Sequence, residues 1–172
     1  MTASEGAPRR GVEFFSARRI GDEDRAGSTA PDSEVSSDDL VVSYPSKADE
    51  PIYAQGGRLI FAHQKNTAFA FRGSDLHMGV FEFEPNIVLP LHSHSVDCLY
   101  YVERGSALMG NRVIGAGEGF LTRAHQPYSF RIGPEGLRLI EFTLGPKPEI
   151  AFHEPNADAW LDRLQRALVE PS

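Results

Sequence analysis

From about Gly57 to Leu144 the chain alternates short apolar runs with breaks rich in Gly, Pro and Asn. The runs at 58–62, 67–72, 76–83, 87–92, 97–103, 106–109, 112–114, 119–122, 127–132 and 137–144 have the length of strands. Their separators, such as Arg72-Gly73-Ser74-Asp75, Glu84-Pro85-Asn86 and Gly133-Pro134-Glu135-Gly136, are turn chemistry. Many short strands punctuated in this way predict a sandwich or a barrel. After a strap at 145–156, the residues Ala157, Trp160, Leu161, Leu164, Ala167 and Leu168 recur at helical spacing. Glu154 and Asp158 suit the positive N-terminal end of that helix, expected over 156–169.

Ahead of the strands, residues 1–50 carry 11 acidic and 6 basic side chains and a Gly-, Ser- and Asp-rich stretch from Gly21 to Asp39. Too little apolar surface is present there to offset the entropy of ordering, so a flexible extension is expected. Its apolar patches, Val12–Ser16 and Leu40–Tyr44, are candidates to lie on the barrel or to add an edge strand. The division expected is therefore an acidic extension at 1–50, a barrel at 51–148, and a strap with helix at 149–172.

Charge and cysteine content narrow the function. With 17 basic against 24 acidic residues the chain has a formal charge of −7, the wrong sign for a nucleic acid or an anionic membrane. The lone Cys98 cannot form an intrachain disulfide, and no apolar run approaches spanning length. With no basic, apolar leader at the start, a cytoplasmic protein is the expectation.

The chemistry concentrates at His92-Ser93-His94, which closes the apolar run Ile87-Val88-Leu89-Pro90-Leu91. Residues i and i+2 of a strand share a face, so both imidazoles would converge. If they point inward, Cys98, Tyr100 and Val102 follow them, and Asp97 points out. His77 shares a face with Gly79, Phe81 and Phe83, and Tyr128 with Gln126 and Phe130. Glu141 cannot be placed, because Leu137 and Leu139 on one parity and Ile140 and Phe142 on the other are all apolar. A metal centre would draw two nitrogens from His92 and His94, a thiolate from Cys98 and a phenolate from Tyr128, with His77 or His125 as a third nitrogen. Such a soft donor set suits zinc, iron, copper or nickel. The bland alternative is an apolar, hydroxyl-lined pocket in which Cys98 packs as a small hydrophobe and Tyr128 as a ring. Gly115–Gly119 lacks the Lys-Ser/Thr ending and following helix of a phosphate loop, and no serine–histidine–acid triad is suggested.

Over residues 76–145 this pattern resembles the cupin superfamily. His92, His94 and Gly105 match the first cupin motif, with Cys98 where the family has glutamate. Gly117, Arg123-Ala124-His125 and Tyr128 follow the spacing of the second motif, with Tyr128 in the slot of the third histidine. The resemblance implies an all-β, cupin-type double-stranded β-helix (a jelly-roll barrel) with a short C-terminal α-helix. It further implies a small-molecule enzyme with a divalent transition metal and dioxygenase-, isomerase- or cyclase-like chemistry. Tyr128 or Tyr100 would be its proton donor. Two of the four customary ligands are replaced, and the two-histidine, one-carboxylate iron arrangement is not visible. The alternative is a non-catalytic module that binds a small ligand without metal. A homodimer is implied by the resemblance alone.

Overall fold

The computed structural model describes residues 42–72, 76–144 and 149–169. The extension's first patch, Val12–Ser16, lies outside them; of the second, Val42–Ser43 forms the short strand β1, an edge strand paired with β9 (Ile150–Phe152). The remaining strands are β2 (Gln64–Arg72), β3 (Leu76–Phe83), β4 (His92–His94), β5 (Cys98–Met109), β6 (Arg112–Gly115), β7 (Gly119–Thr122) and β8 (Arg131–Leu144). Two helices flank them, α1 (Glu50–Ala62) and α2 (Ala157–Val169). None of the described helices is long and apolar enough to cross a membrane.

The barrel arises because two long strands serve both layers. On one layer β2, β3 and the second half of β8 pair in sequence, and the first half of β5 joins β8 on one side and β7 on the other. On the opposite layer β4 pairs with β9 and is tied to the 128–131 segment by the bridges Val88↔Arg131 and His92↔Tyr128. The second half of β5 continues that layer through Ile132 of β8 and through β6. Where the layers meet, Gly105 pairs with Leu137 but Ala107 with Ile132, so two steps along β5 match five along β8. The surplus is the Gly133–Gly136 turn, an outsized bulge that bends the strand. Gly105 sits at φ 76°, and a Cβ there would lie 2.0 Å from the Gly136 carbonyl oxygen, so only glycine fits. The result is the double-stranded β-helix that the resemblance implies.

Inside, Ile87, Val102, Ile132, Leu137, Leu139 and their neighbours form one core cluster. The helices close its open flank. Trp160 is 1% exposed and donates its indole N–H to the Val88 carbonyl at 3.0 Å.

Residues 58–62, read as a strand from their apolar run, are instead the last turns of α1. Ile52, Tyr53, Gly56, Leu59 and Ile60 recur at helical spacing, and it is this face that packs inward. Gly56-Gly57 argues against a helix, since glycine weakens helix interiors. Packing overrides that penalty: a Cβ on Gly56 would lie 2.1 Å from Trp160 Cη2, so the glycine lets the two helices touch. Of the run 87–92, only the His92 end is a regular strand; Val88 makes a single bridge.

Candidate active site

β4 exists because three inward and outward positions are satisfied at once. The backbones of His92 and Tyr128 exchange N–H···O bonds at 3.0 and 2.9 Å, and the His125 N–H donates to the His94 carbonyl at 2.7 Å. His125 itself is exposed at φ 62°, in a turn clamped by Asp97, which accepts from the Ala124 N–H at 2.8 Å and from Arg123 at 2.6 Å. Asp97 thus faces outward, as strand parity predicts.

The structure brings His92, His94 and Tyr128 together. Ring centroids lie 5.3 Å apart for the two histidines, 4.4 Å for His92–Tyr128 and 6.1 Å for His94–Tyr128. Both histidines are buried, and burial holds both neutral; His94 is pushed down to about 3. His92 Nδ1 lies 2.8 Å from the Pro90 carbonyl, so it carries the hydrogen and leaves Nε2 as a bare lone pair. His94 Nδ1 is buried without a partner. Between the two, Ser93 points the other way and meets His153 Nε2 at 2.8 Å. His153 lines a separate hollow of about 470 Å³, with Asp49, Phe152, Glu154 and Asp158, that shares no residue with the histidine pair.

Cys98, Tyr100 and Val102 are buried along the inner face of β5, as their parity with the histidines requires. The Cys98 thiol contacts the Val96 carbonyl at 3.6 Å, and burial, aided by Glu141, pushes it up to about 12. It is a neutral thiol in this setting. The Tyr100 and Tyr128 hydroxyls lie 2.5 Å apart, and burial, followed by the charge of Glu141, raises both well above the ordinary phenol value. Phe120 stacks on Tyr100 at 4.6 Å and meets Phe130 edge-on at 5.8 Å, closing an aromatic wall. His77 pairs with Thr143 on the neighbouring strand, and its Nε2 is likewise buried without a partner.

Glu141, which could not be placed from sequence, belongs to this group. It stands opposite Tyr100 on one side and opposite Gly79 on the other, and the missing side chain of Gly79 leaves it room. Burial pushes its carboxyl up to about 7, with a hydrogen bond from Tyr100 pulling the other way. Only the β5–β8 register could have revealed it, since Leu139 and Thr143 share its parity and are the buried neighbours.

Among the described residues, no three His, Cys, Asp or Glu side chains converge as a metal set. Two nitrogens are therefore in place without a third donor of those types, and Tyr128 is the remaining candidate ligand beside them. What they do form is a close Tyr100–Tyr128 hydroxyl pair, with Glu141 opposite Tyr100 in the β5–β8 register, beside two neutral imidazoles.

No protein-family model and no curated protein matches the chain. Among solved structures it is similar to a DMSP lyase, DddQ, from Ruegeria pomeroyi, at 20% identity and TM-score 0.41, over 46% of this chain and 44% of that one. It is also similar to an uncharacterised conserved protein with a double-stranded β-helix domain from Klebsiella pneumoniae, at 19% and 0.46, over 51% and 78%. A third is the polyketide cyclase RemF from Streptomyces resistomycificus, at 19% and 0.45, over 59% and 86%. The chain thus spans less than half of the lyase structure.

Proposed function

We propose that this cupin-like barrel is a small-molecule enzyme that moves a proton on its substrate, with Glu141, Tyr100 and Tyr128 as the acid–base machinery. The observation that carries the reading is the Tyr100–Tyr128 contact of 2.5 Å, with the Glu141 carboxyl opposite Tyr100 across the β5–β8 register and pushed up to about 7 by burial. A general acid or base works best when its pKa lies near the working pH, and a carboxyl displaced that far in a buried cluster is a functional signal. When Glu141 is ionised, Tyr100 donates to it and Tyr128 donates to Tyr100. When Glu141 is protonated, it donates to Tyr100 and the chain reverses. A substrate carbonyl beside Tyr128 would accept that hydroxyl, while the bare Nε2 of His92 accepts a proton from the adjacent carbon. Isomerase, lyase and cyclase steps that pass through an enol share this requirement.

The experiment is proton exchange at carbon. Incubated in D₂O with a panel of small 2-keto, 3-keto and 3-hydroxy acids and their neutral esters, the protein should catalyse deuterium incorporation next to the carbonyl of at least one compound, read by proton NMR. Glu141→Gln and Tyr128→Phe should each slow it by about 10²–10⁴-fold, the usual contribution of a positioned acid or base. Exchange that is absent across the panel, or unchanged in both variants, would remove the proposal.

A divalent metal on His92 and His94 is the second reading. It is favoured by one observation: a buried His94 Nδ1 without a partner beside a His92 whose tautomer is fixed by Pro90. Elemental analysis of untagged protein decides it. Stoichiometric zinc, iron, copper or nickel that vanishes in the His92→Ala, His94→Ala variant supports this reading, and metal-free protein refutes it.

A further inference from the structure

Two buried polar atoms on the inner wall of the barrel have no part in the proton-transfer group. Thr143 is 2% exposed, and its Oγ1 has no hydrogen-bond partner among the described residues. The same holds for the buried Nε2 of His77. The two residues stand opposite each other, His77 on β3 and Thr143 on β8, so their side chains share a face. That face is the inner one, because Thr143 also stands opposite the buried Cys98 on β5. The next row along the strands holds Gly79, Glu141 and Tyr100. Glu141 is only half-buried, although Leu139 and Thr143 on either side of it on the same face are each 2% exposed. The wall is therefore not closed over at that level. A buried polar atom without a partner loses its hydrogen bonds to water and regains none, so folds rarely keep two side by side.

We propose that His77 and Thr143 hold a hydroxyl group of the ligand, and that the barrel takes an uncharged hydroxy-carbonyl compound. The Cβ atoms of a facing pair lie about 5 Å apart, so one oxygen between the imidazole and the threonine hydroxyl can meet both. A hydroxyl both donates and accepts, which suits threonine and suits an imidazole nitrogen in either tautomer. A carboxylate or phosphate does not fit. Among His77, Thr143, Cys98, Gly79, Glu141 and Tyr100, which make up this row and the next on β3, β8 and β5, there is no lysine or arginine. An anion would instead meet the Glu141 carboxyl, with no cation to offset its burial. The carbonyl half of the ligand rests on the proton-transfer reading above, which sets it beside Tyr128; the hydroxyl half rests on His77 and Thr143 alone. Thr143 and Glu141 are two residues apart, about 6.8 Å along the strand, and the two oxygens of the ligand should be separated on that order.

The test is binding, followed by protein NMR as the isotope-labelled full chain is titrated with two matched sets of compounds. One set is hydroxyacetone, acetone and pyruvate. The other is 4-(hydroxymethyl)cyclohexanone, 4-methylcyclohexanone and 4-oxocyclohexanecarboxylate. In at least one set the hydroxy ketone should bind about 10-fold or more tightly than both the ketone lacking the hydroxyl and the keto acid. Thr143→Val, which keeps the shape and removes the hydroxyl, should erase that preference, and Thr143→Ser should retain it. In the free protein Thr143→Val should leave the melting temperature unchanged or raised, because the hydroxyl it removes has no partner to lose. Absence of binding by either hydroxy ketone up to about 50 mM, a generous limit for ligands this small, would overturn the proposal. So would equal or tighter binding of the ketone or the keto acid in both sets, or a preference that survives Thr143→Val. A Thr143→Val protein that melts several degrees lower would overturn it too, since the hydroxyl would then be bonded within the fold. Exchange at carbon is a separate readout. A hydroxyl preference without exchange keeps this subsite and removes the catalytic reading, and exchange without the preference does the reverse.

Discussion

Replacing Trp160 with alanine is expected to destabilise the protein by about 3–5 kcal/mol, measured by urea denaturation. The indole is 1% exposed, packs 5.5 Å from the Tyr53 ring and fills the space that Gly56 leaves open. Removal strips apolar contact from both helices and leaves a cavity that α1 and α2 cannot both collapse into. It also leaves the Val88 carbonyl without its indole donor. Val88 lies in the segment that delivers His92 to the barrel, so loosened helices would loosen the histidine pair as well. Trp160→Phe, which keeps most of the ring volume and loses the N–H, should cost about 1–2 kcal/mol. If alanine costs less than about 1 kcal/mol, the helices do not share the barrel's cooperative unit.

The barrel was legible in the sequence because its signals are local. Strand parity placed His92, His94, Cys98 and Tyr100 on one buried face, and Gly105 and the Gly133–Gly136 turn marked where the long strands bend. The run at 137–144 and the last two residues of the run at 127–132 belong to one strand, β8, yet the separation seen between them is real, since the register jumps there. What could not be read was whatever depends on pairing across distance. Helix α1 was hidden by a glycine pair whose reason, Trp160, lies about a hundred residues on. Glu141 was hidden because both parities of its strand are apolar. That ambiguity has a physical source: one parity faces the core and the other the exposed apolar rows beside Leu99 and Tyr101. The same feature that concealed the acid exposed the outer face.

Stability should fall as pH rises from about 4.5 to about 7 on account of Glu141, and Glu141→Gln should abolish that slope. The carboxyl is pushed from 4.5 to about 7 by burial, so the folded state favours the protonated form. Below pH 4.5 the group is neutral in both states and exacts no penalty. Between 4.5 and 7 the unfolded chain ionises while the folded one does not, and stability declines by about 1.4 kcal/mol per pH unit. Above 7 both states are ionised and the decline ends, at a total of up to about 3 kcal/mol, reduced by the part of the residue that reaches solvent. His92 and His94 act in the opposite sense, since their lowered values remove stability as pH falls. The quantity to measure is therefore the difference between the original protein and Glu141→Gln at each pH, in which the histidine contributions cancel. That difference should shift by about 2–3 kcal/mol in favour of the glutamine variant between pH 5 and pH 8. A glutamine variant that is more stable at pH 8 yet inactive in proton exchange would mark a residue kept for chemistry at the expense of the fold. A flat difference across the range would mean that the carboxyl titrates as it does in water, and the acid–base chain would lose its terminal group.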